Sequence, residues 1–440
     1  MNKSLFAVFL VLTGLPSWQG SSVYASQSAD STVMIQGFHW TSWKTAPWWG
    51  EVGKRAGELS RAGIDLIWLP PSSDSLSPEG YMPRRLELLE SGYGTAAQLN
   101  AAVKALHAAG IRVIADIVVN HRVGVNGWAD FSAPVWGADS VCSDDEWGKG
   151  TGAPDTGKGF NAARDIDHTK PYVQDFVKSW LNGLRGNVGY DGWRYDYARG
   201  FSSAYLLAYN RASAPSFAVA EIWDDFSLDN TDAHRQASVD WLDSVNGEIK
   251  VFDFTTKGIL QQAVRAGEYW RLADANGRPS GLMGWWPANA VTFIDNHDTG
   301  PSSGRGLKES GRALSPEKLI EGYASGPSHG GKLKENAWSF PSGQVIAGYA
   351  YILTHPGIPC VYWPHFFDWG LKEPISALIK IRREAGITAS SPVTIVRAEQ
   401  GLYAAFIGGK AAMKLGDKVW TPGPGWKPAA EGPGYAVWTK

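Results

Sequence analysis

The chain is short of several things, and each shortage removes a class of protein. It has two cysteines in 440 residues, Cys142 and Cys360, so disulfides do little to hold this fold. A single bridge and two buried free thiols both remain open. Charge of either sign is nearly balanced, with 41 Lys and Arg against 43 Asp and Glu. No basic excess marks a nucleic-acid surface. Long hydrophobic runs are missing too. The run from Leu5 to Leu15 is too short to span a bilayer. It sits behind Met-Asn-Lys and ahead of a polar stretch ending Val23-Tyr24-Ala25, the layout of a cleaved secretory signal peptide over residues 1–25. The expectation is a secreted protein with neither a nucleic-acid nor a membrane partner. No glycine-rich phosphate loop follows the first strand, no His-Glu-x-x-His motif occurs, and no serine nucleophile elbow stands at a strand-to-helix turn. What is abundant is tryptophan, with 22 residues. Flat aromatic faces build cores and also stack on sugar rings, so composition points first to carbohydrate.

The apolar pattern has a repeating rhythm. Thr32 to Trp40 reads as a strand, and a helix follows from about Trp49 to Arg61, with Val52, Ala56 and Leu59 on one face. Strand 64–69 ends at Pro70-Pro71. Thr95 and Gln98 have capping-box spacing at the head of a second helix. Residues 111–119 are nearly all apolar, as a parallel strand covered on both faces requires. The two helix exits read alike, Arg61-Ala-Gly-Ile64 and Ala108-Ala-Gly-Ile111. Further strands are expected at 192–196, 216–222, 251–254, 290–294 and 357–362. Eight such units predict an α/β fold, a (β/α)8 TIM barrel over 26–121 and 169–386. A doubly wound open sheet is the alternative. Residues 122–168 lack helical periodicity and form a long loop subdomain after the third strand. After a closing helix near Glu373 to Arg383, residues 387–440 read as a C-terminal antiparallel β domain. Its strands are expected at 394–397, 401–407, 410–415 and 434–438.

In a barrel of this kind chemistry sits at the C-terminal ends of the strands. Those ends carry Asn120-His121, Arg194 with Asp196, Glu221, and Asp295-Asn296-His297-Asp298. A carboxylic acid and a nucleophilic carboxylate flanking one bond are the minimum for retaining glycoside hydrolysis. Arg194 beside Asp196 suits a nucleophile that must stay ionised. Phe217-Ala-Val-Ala220 before Glu221 predicts an apolar setting that suits a general acid. Taken singly, each has a structural reading: a salt bridge for Asp196, a loop residue for Glu221, a helix cap for Asp298, a core histidine for His297. Their coincidence at three strand ends, with Asn120-His121 at a fourth, argues for one site.

These residues lie in stretches that resemble the α-amylase family, specifically its plant-like branch. The four signature regions read Asp116-Ile-Val-Val-Asn-His121, Gly192-Trp-Arg-Tyr-Asp-Tyr-Ala-Arg-Gly200, Ala220-Glu-Ile-Trp223 and Phe293-Ile-Asp-Asn-His-Asp298. Plant-like wording continues in Glu79-Gly-Tyr-Met-Pro83, Asp253-Phe-Thr-Thr-Lys-Gly258, Gly284-Trp-Trp-Pro287 and Gly348 to Gly357. The resemblance implies Asp196 as nucleophile, Glu221 as general acid/base and Asp298 as the third carboxylate. It implies His121 and His297 as sugar-binding histidines, Tyr81 as an aromatic platform, and Arg194 orienting Asp196 with Asp116 as partner. It also implies structural Ca2+ held by Asn120, Asp165 and the carbonyl of Gly200, in keeping with calcium's need for six to eight oxygens. A helix cap is the other reading of Asp165, and Asp144, Asp145 and Asp155 are further candidates. Trp285 and Trp286 match a paired surface platform for starch, with core packing as the alternative. Adjacent tryptophans must lie in an irregular turn to act together.

The resemblance implies a monomeric enzyme cleaving internal α-1,4 bonds of starch and maltooligosaccharides. A transglycosylase, an enzyme releasing one fixed maltooligosaccharide, and a non-catalytic glucan-binding protein are the rivals. One departure stands out: residues 301–337, rich in Gly, Ser and Lys, are inserted after the seventh strand. They either shape the subsites or form a tolerated surface loop.

Overall fold

The computed structural model describes residues 31–45, 47–126, 128–300 and 339–440. The expected signal peptide and the 301–337 insertion therefore lie outside the described residues. Eight parallel strands close into a barrel. They are β1 (Met34–Gln36), β2 (Leu66–Leu69), β3 (Arg112–Ile117), β4 (Gly192–Tyr195), β5 (Phe217–Ala220), β6 (Lys250–Phe252), β7 (Ala290–Thr292) and β8 (Ile358–Tyr362). Each overlaps a segment the apolar pattern marks as a strand, with β6 starting one residue ahead of the expected 251–254. β1 pairs with both β2 and β8, which closes the ring and excludes the doubly wound alternative.

The helices between them are α1 (Trp48–Ala62), α2 (Ala96–Ala108), α3 (Pro171–Gly183), α4 (Ser203–Ser213), α5 (Thr231–Ser244), α6 (Phe254–Ala266), α7 (Val345–Thr354) and α8 (Lys372–Glu384). α1 buries Val52, Ala56 and Leu59. It stops at Gly63, whose φ of 87° is costly for any residue with a Cβ. α2 has the capping box its sequence announces, Thr95 and Gln98 each accepting from the other's backbone N–H. Such a cap contributes about 1 kcal/mol.

The long connection between β3 and α3 is held at its base by a short antiparallel pair, His121–Arg122 against Arg164–Asp165. Arg122 is buried and organises the loop around itself. Its guanidinium lies between Phe131 and Trp136, 4.7 and 4.6 Å from the ring centroids. It donates to the carbonyls of Arg84, Ser132 and Pro134.

A five-stranded antiparallel sheet follows the barrel: β9 (Val393–Glu399), β10 (Leu402–Ile407), β11 (Ala411–Leu415), β12 (Lys427–Gly432) and β13 (Tyr435–Thr439), ordered β9-β10-β11-β13-β12. Four of these strands are legible in the sequence. The fifth, Lys-Pro-Ala-Ala-Glu-Gly, lacks strand-forming side chains. It persists because it is an edge strand paired only with β13, where Pro is tolerated. The sheet is docked by the buried hydrogen bond from Tyr403 to His355, 2.8 Å, and by Gly401 N to Gly267 O, 2.8 Å. Cys142 and Cys360 are both free and buried, which settles the alternatives left open by their number.

Candidate active site

β4 places the central cation. Trp193 and Tyr195 turn outward, donating to Ser213 and Asn210 of α4, at 2.9 and 3.3 Å. The alternate parity turns Arg194 the other way. Across the β3–β4 register Arg194 lies opposite Asp116. Its guanidinium, 1% exposed, meets three carboxylates: Asp116 at 2.8 Å, Asp196 at 2.7 Å and Glu221 at 3.0 Å. Asp116 also accepts from Trp68 Nε1 at 3.1 Å and the Tyr81 hydroxyl at 2.8 Å. Burial pushes the Asp116 carboxyl up to about 7, against the opposing pull of Arg194.

The chain then turns sharply. Tyr197 adopts φ 43°, a left-handed conformation uncommon for a residue with a large side chain. That turn aims the Tyr197 N–H at Glu221 Oε2, 3.1 Å away. Strand pairing fixes the rest, with Asp196 N bonded to Ile117 O and Glu221 N to Tyr195 O, each at 3.0 Å. The apolar setting expected for Glu221 is not found. Its apolar neighbours belong to β5 and are buried in the barrel wall. The Glu221 side chain projects past the strand end to the guanidinium from β4.

Asp298 lies across the mouth on the loop after β7. Its carboxylate is 3.3 Å from His297 Nε2, and His297 Nδ1 is 2.9 Å from Gln36 Nε2. Tyr81 is stacked near-parallel with His297 at 5.1 Å and with Trp40 at 5.9 Å. Trp40 was not singled out in the sequence; an aromatic at the end of the first strand was the available signal. Gln36 and Trp68 were missed as well, because nothing local distinguishes a barrel-interior Gln or Trp from a core residue. His121 is buried, stacked on Phe160 at 4.0 Å, and hydrogen-bonded through Nε2 to the carbonyl of Tyr81 at 2.9 Å. It thereby ties the loop carrying Tyr81 to the end of β3.

Asn120 and Asp165 meet, with Nδ2 to Oδ1 at 3.1 Å. Gly200 closes on the same point: any side chain there would collide with Asn120 Oδ1. Beside them Asp145, Glu146 and Asp165 form a group whose oxygens could hold a metal ion. Arg164 pairs with Asp145 and Glu146. Burial, with Asp155, Asp145 and Glu146 adding to it, raises Asp165 to about 7. One buried oxygen of Asp155 has no hydrogen-bond partner. This negative excess among hard oxygen donors fits a divalent cation such as Ca2+. Glu146 was missed in the sequence, since it falls in an irregular loop whose folding no periodicity describes.

Trp285 and Trp286 sit in an irregular stretch between two 3-10 turns, as their adjacency requires. Both are half-buried. Trp285 has the Arg235 guanidinium 3.5 Å from its ring centroid, which covers one of its faces.

Two family models match the chain, the α-amylase catalytic domain over residues 57–144 and the α-amylase C-terminal β-sheet domain over 384–439. The chain is 41% identical to the probable α-amylase 2 of Arabidopsis thaliana, covering 93% of this chain and 94% of that protein. It is also 41% identical to the chloroplastic α-amylase 3 of the same plant, covering 92% of this chain and 44% of that longer protein. Among solved structures, an Anoxybacillus α-amylase aligns with a TM-score of 0.64 at 15% identity, over 94% of this chain and 99% of that one.

Proposed function

Because the chain belongs to the plant-like branch of the α-amylase family and is a glycoside hydrolase, we propose that it cleaves internal α-1,4-glucosidic bonds of starch and maltooligosaccharides with retention. The observation that carries this reading is the shared guanidinium. Arg194 holds Asp196 and Glu221 together at the ends of adjacent strands, with Asp298 on the loop after β7. Asp116, Asp196 and Glu221 around the one cation favour keeping a proton among them, because like charges at this spacing resist full ionisation. In the proposed reaction Glu221 is the general acid, protonating the leaving glycosidic oxygen as Asp196 attacks the anomeric carbon. The first bond breaks and a glycosyl–Asp196 ester forms. Water then attacks the anomeric carbon while Glu221 takes its proton, and the bond from that carbon to Asp196 breaks, releasing an α-anomeric product and restoring both carboxyls. Asp298 binds hydroxyls of the same sugar, and the Tyr81 ring stacks beneath it, with His297 and His121 lining the subsite.

Ca2+ is assigned a structural role near Asn120, Asp165 and the Gly200 carbonyl, with Asp145 and Glu146 adding oxygens nearby. When bound it supplies charge balance where the long loop meets the barrel. The protein is read as secreted and monomeric. Amino-terminal sequencing of protein recovered from the medium should begin near Ser26, and a start at Met1 would sink the leader.

The deciding experiment is a product time course on soluble starch, with anomeric configuration followed by NMR. The wild type should release α-anomeric oligosaccharides of mixed length. Asp196→Asn should lose at least about 10^3-fold in kcat, since a covalent nucleophile has no substitute. Early β-anomers would overturn retention. One dominant product length would move the enzyme to the fixed-length class.

A further inference from the structure

We propose that Lys257 and Asp295, buried behind the loop after β7, are positioning residues that set the place of Asp298 through the hydroxyl of Thr299. The inference rests on the catalytic reading of Asp298 above. Asp295 follows the end of β7, and Lys257 lies in the first turn of α6. Their side chains are 0% and 2% exposed, with Nζ 3.7 Å from Asp295 Oδ1. Lys257 also donates to Gln261 Oε1 at 2.6 Å.

The contacts form a chain from this pair to Asp298. Thr299 Oγ1 donates to Asp295 Oδ1 at 3.1 Å and accepts from Asn296 N at 3.1 Å. Asn296 Oδ1 in turn accepts from the backbone N–H groups of Asp298 and Thr299, both at 3.0 Å. The backbone of Asp298 is thus held by a turn whose hydroxyl is aimed by the Asp295 carboxylate. The same carboxylate accepts from Phe340 N at 3.2 and 3.3 Å. His365 Nε2 lies 3.6 Å from its other oxygen. Tyr362 N donates to the Tyr349 hydroxyl, which leaves that hydroxyl to donate to His365 Nδ1, 3.0 Å away. His365 therefore faces Asp295 with a neutral ring, and burial holds its pKa down to about 3. Among these groups Lys257 is the cation that balances Asp295.

Stability alone does not account for the pair. Burial raises Asp295 to about 6 and lowers Lys257 to about 8, so desolvation outweighs their attraction in both. An apolar pair of the same size would fill the space at least as well. What apolar side chains cannot supply is a directional acceptor for Thr299 and Phe340 at one point behind Asp298.

The test uses Thr299→Val, which removes the relay and keeps the shape, Thr299→Ser, which restores it, and Lys257→Met. Each is assayed for kcat and KM on a soluble maltooligosaccharide, with Asp298→Asn alongside and folding checked by thermal melting. Thr299→Val should lose about 10- to 100-fold in kcat at a KM within about threefold of wild type, since misplacing a reacting group by an ångström costs that much. Thr299→Ser should stay within about threefold of wild type, and a folded Lys257→Met should resemble Thr299→Val. Wild-type kcat in folded Thr299→Val overturns the proposal even if Lys257→Met does not fold. If Asp298→Asn keeps wild-type kcat, the catalytic reading of Asp298 has failed instead, and the positioning role falls with it.

Discussion

Arg194 carries one positive charge and faces three carboxyl groups, a ratio that a purely structural ion pair does not need. Its worth lies in geometry, because a planar fork can hold Asp116, Asp196 and Glu221 at once, as a lysine cannot. Away from the site, single residues set the response to acid. His355 is wholly buried and accepts from the Tyr403 hydroxyl, and burial holds its pKa down to about 3. The unfolded chain takes up a proton below about pH 6.5, which the folded protein refuses until about pH 3. Stability therefore drains as pH falls through that window, by about 1.4 kcal/mol per unit at its steepest. Asp116, pushed up to about 7, acts with the opposite sign, because there the folded state holds the extra proton. Only the difference between wild type and His355→Gln isolates the histidine. In urea melts that difference should shrink by about 1 to 1.4 kcal/mol for each unit from pH 6 to pH 4, and a constant difference would refute the assignment.

At the scale of elements, the loops after the strands carry the residues of the proposed site and the strands hold them in register. The stretch after β7 shows this best. Ser339 donates to the carbonyl of Thr299 at 2.6 Å, so the residues flanking 301–338 already meet. A connection whose ends are held together tolerates a change of length at small entropic cost. Replacing residues 301–338 by two glycines should leave kcat on soluble oligosaccharide within about threefold. A larger loss, or a changed product distribution, would assign the segment to the subsites. The tryptophan pair calls for the opposite kind of test. Replacing Trp285 and Trp286 by Ala should weaken binding to starch granules about fivefold or more, given the usual worth of an aromatic contact. Cleavage of soluble oligosaccharide should be spared. Equal losses in both assays would mean that the pair, with Arg235 over Trp285, belongs to the packing of the barrel wall.

For the whole molecule, the acidic group at the base of the long loop is the point where a bound ion would couple to folding. Exhaustive EGTA treatment should lower Tm by about 5 °C or more, restored by Ca2+ and poorly by Mg2+, whose octahedral demand suits a fixed all-protein cage less well. Unchanged Tm and activity would remove calcium from the account. The C-terminal sheet is bound into the same body by Tyr403 on His355 and by the Gly401–Gly267 hydrogen bond, so its loosening should accompany melting of the barrel.

The sequence by itself determined the eight βα units, because most of the parallel strands are buried on both sides and show as apolar runs with turn signals around them; that the sheet closes into a barrel was decided by the pairing of β1 with both β2 and β8. It also placed Asp196, Glu221 and Asp298 at strand ends, and the family likeness in their signature stretches. It did not reveal β12, whose Pro and Gly hide an edge strand held only by its neighbour. Nor did it reveal that Glu221 is met by Arg194, or that Trp40, Gln36 and Trp68 surround the site. Those facts depend on which side chains from different strands share the barrel's interior, and that is decided by strand register and closure. The same holds for Lys257 and Asp295, 38 positions apart, whose pairing exists only once α6 and the loop after β7 are packed together.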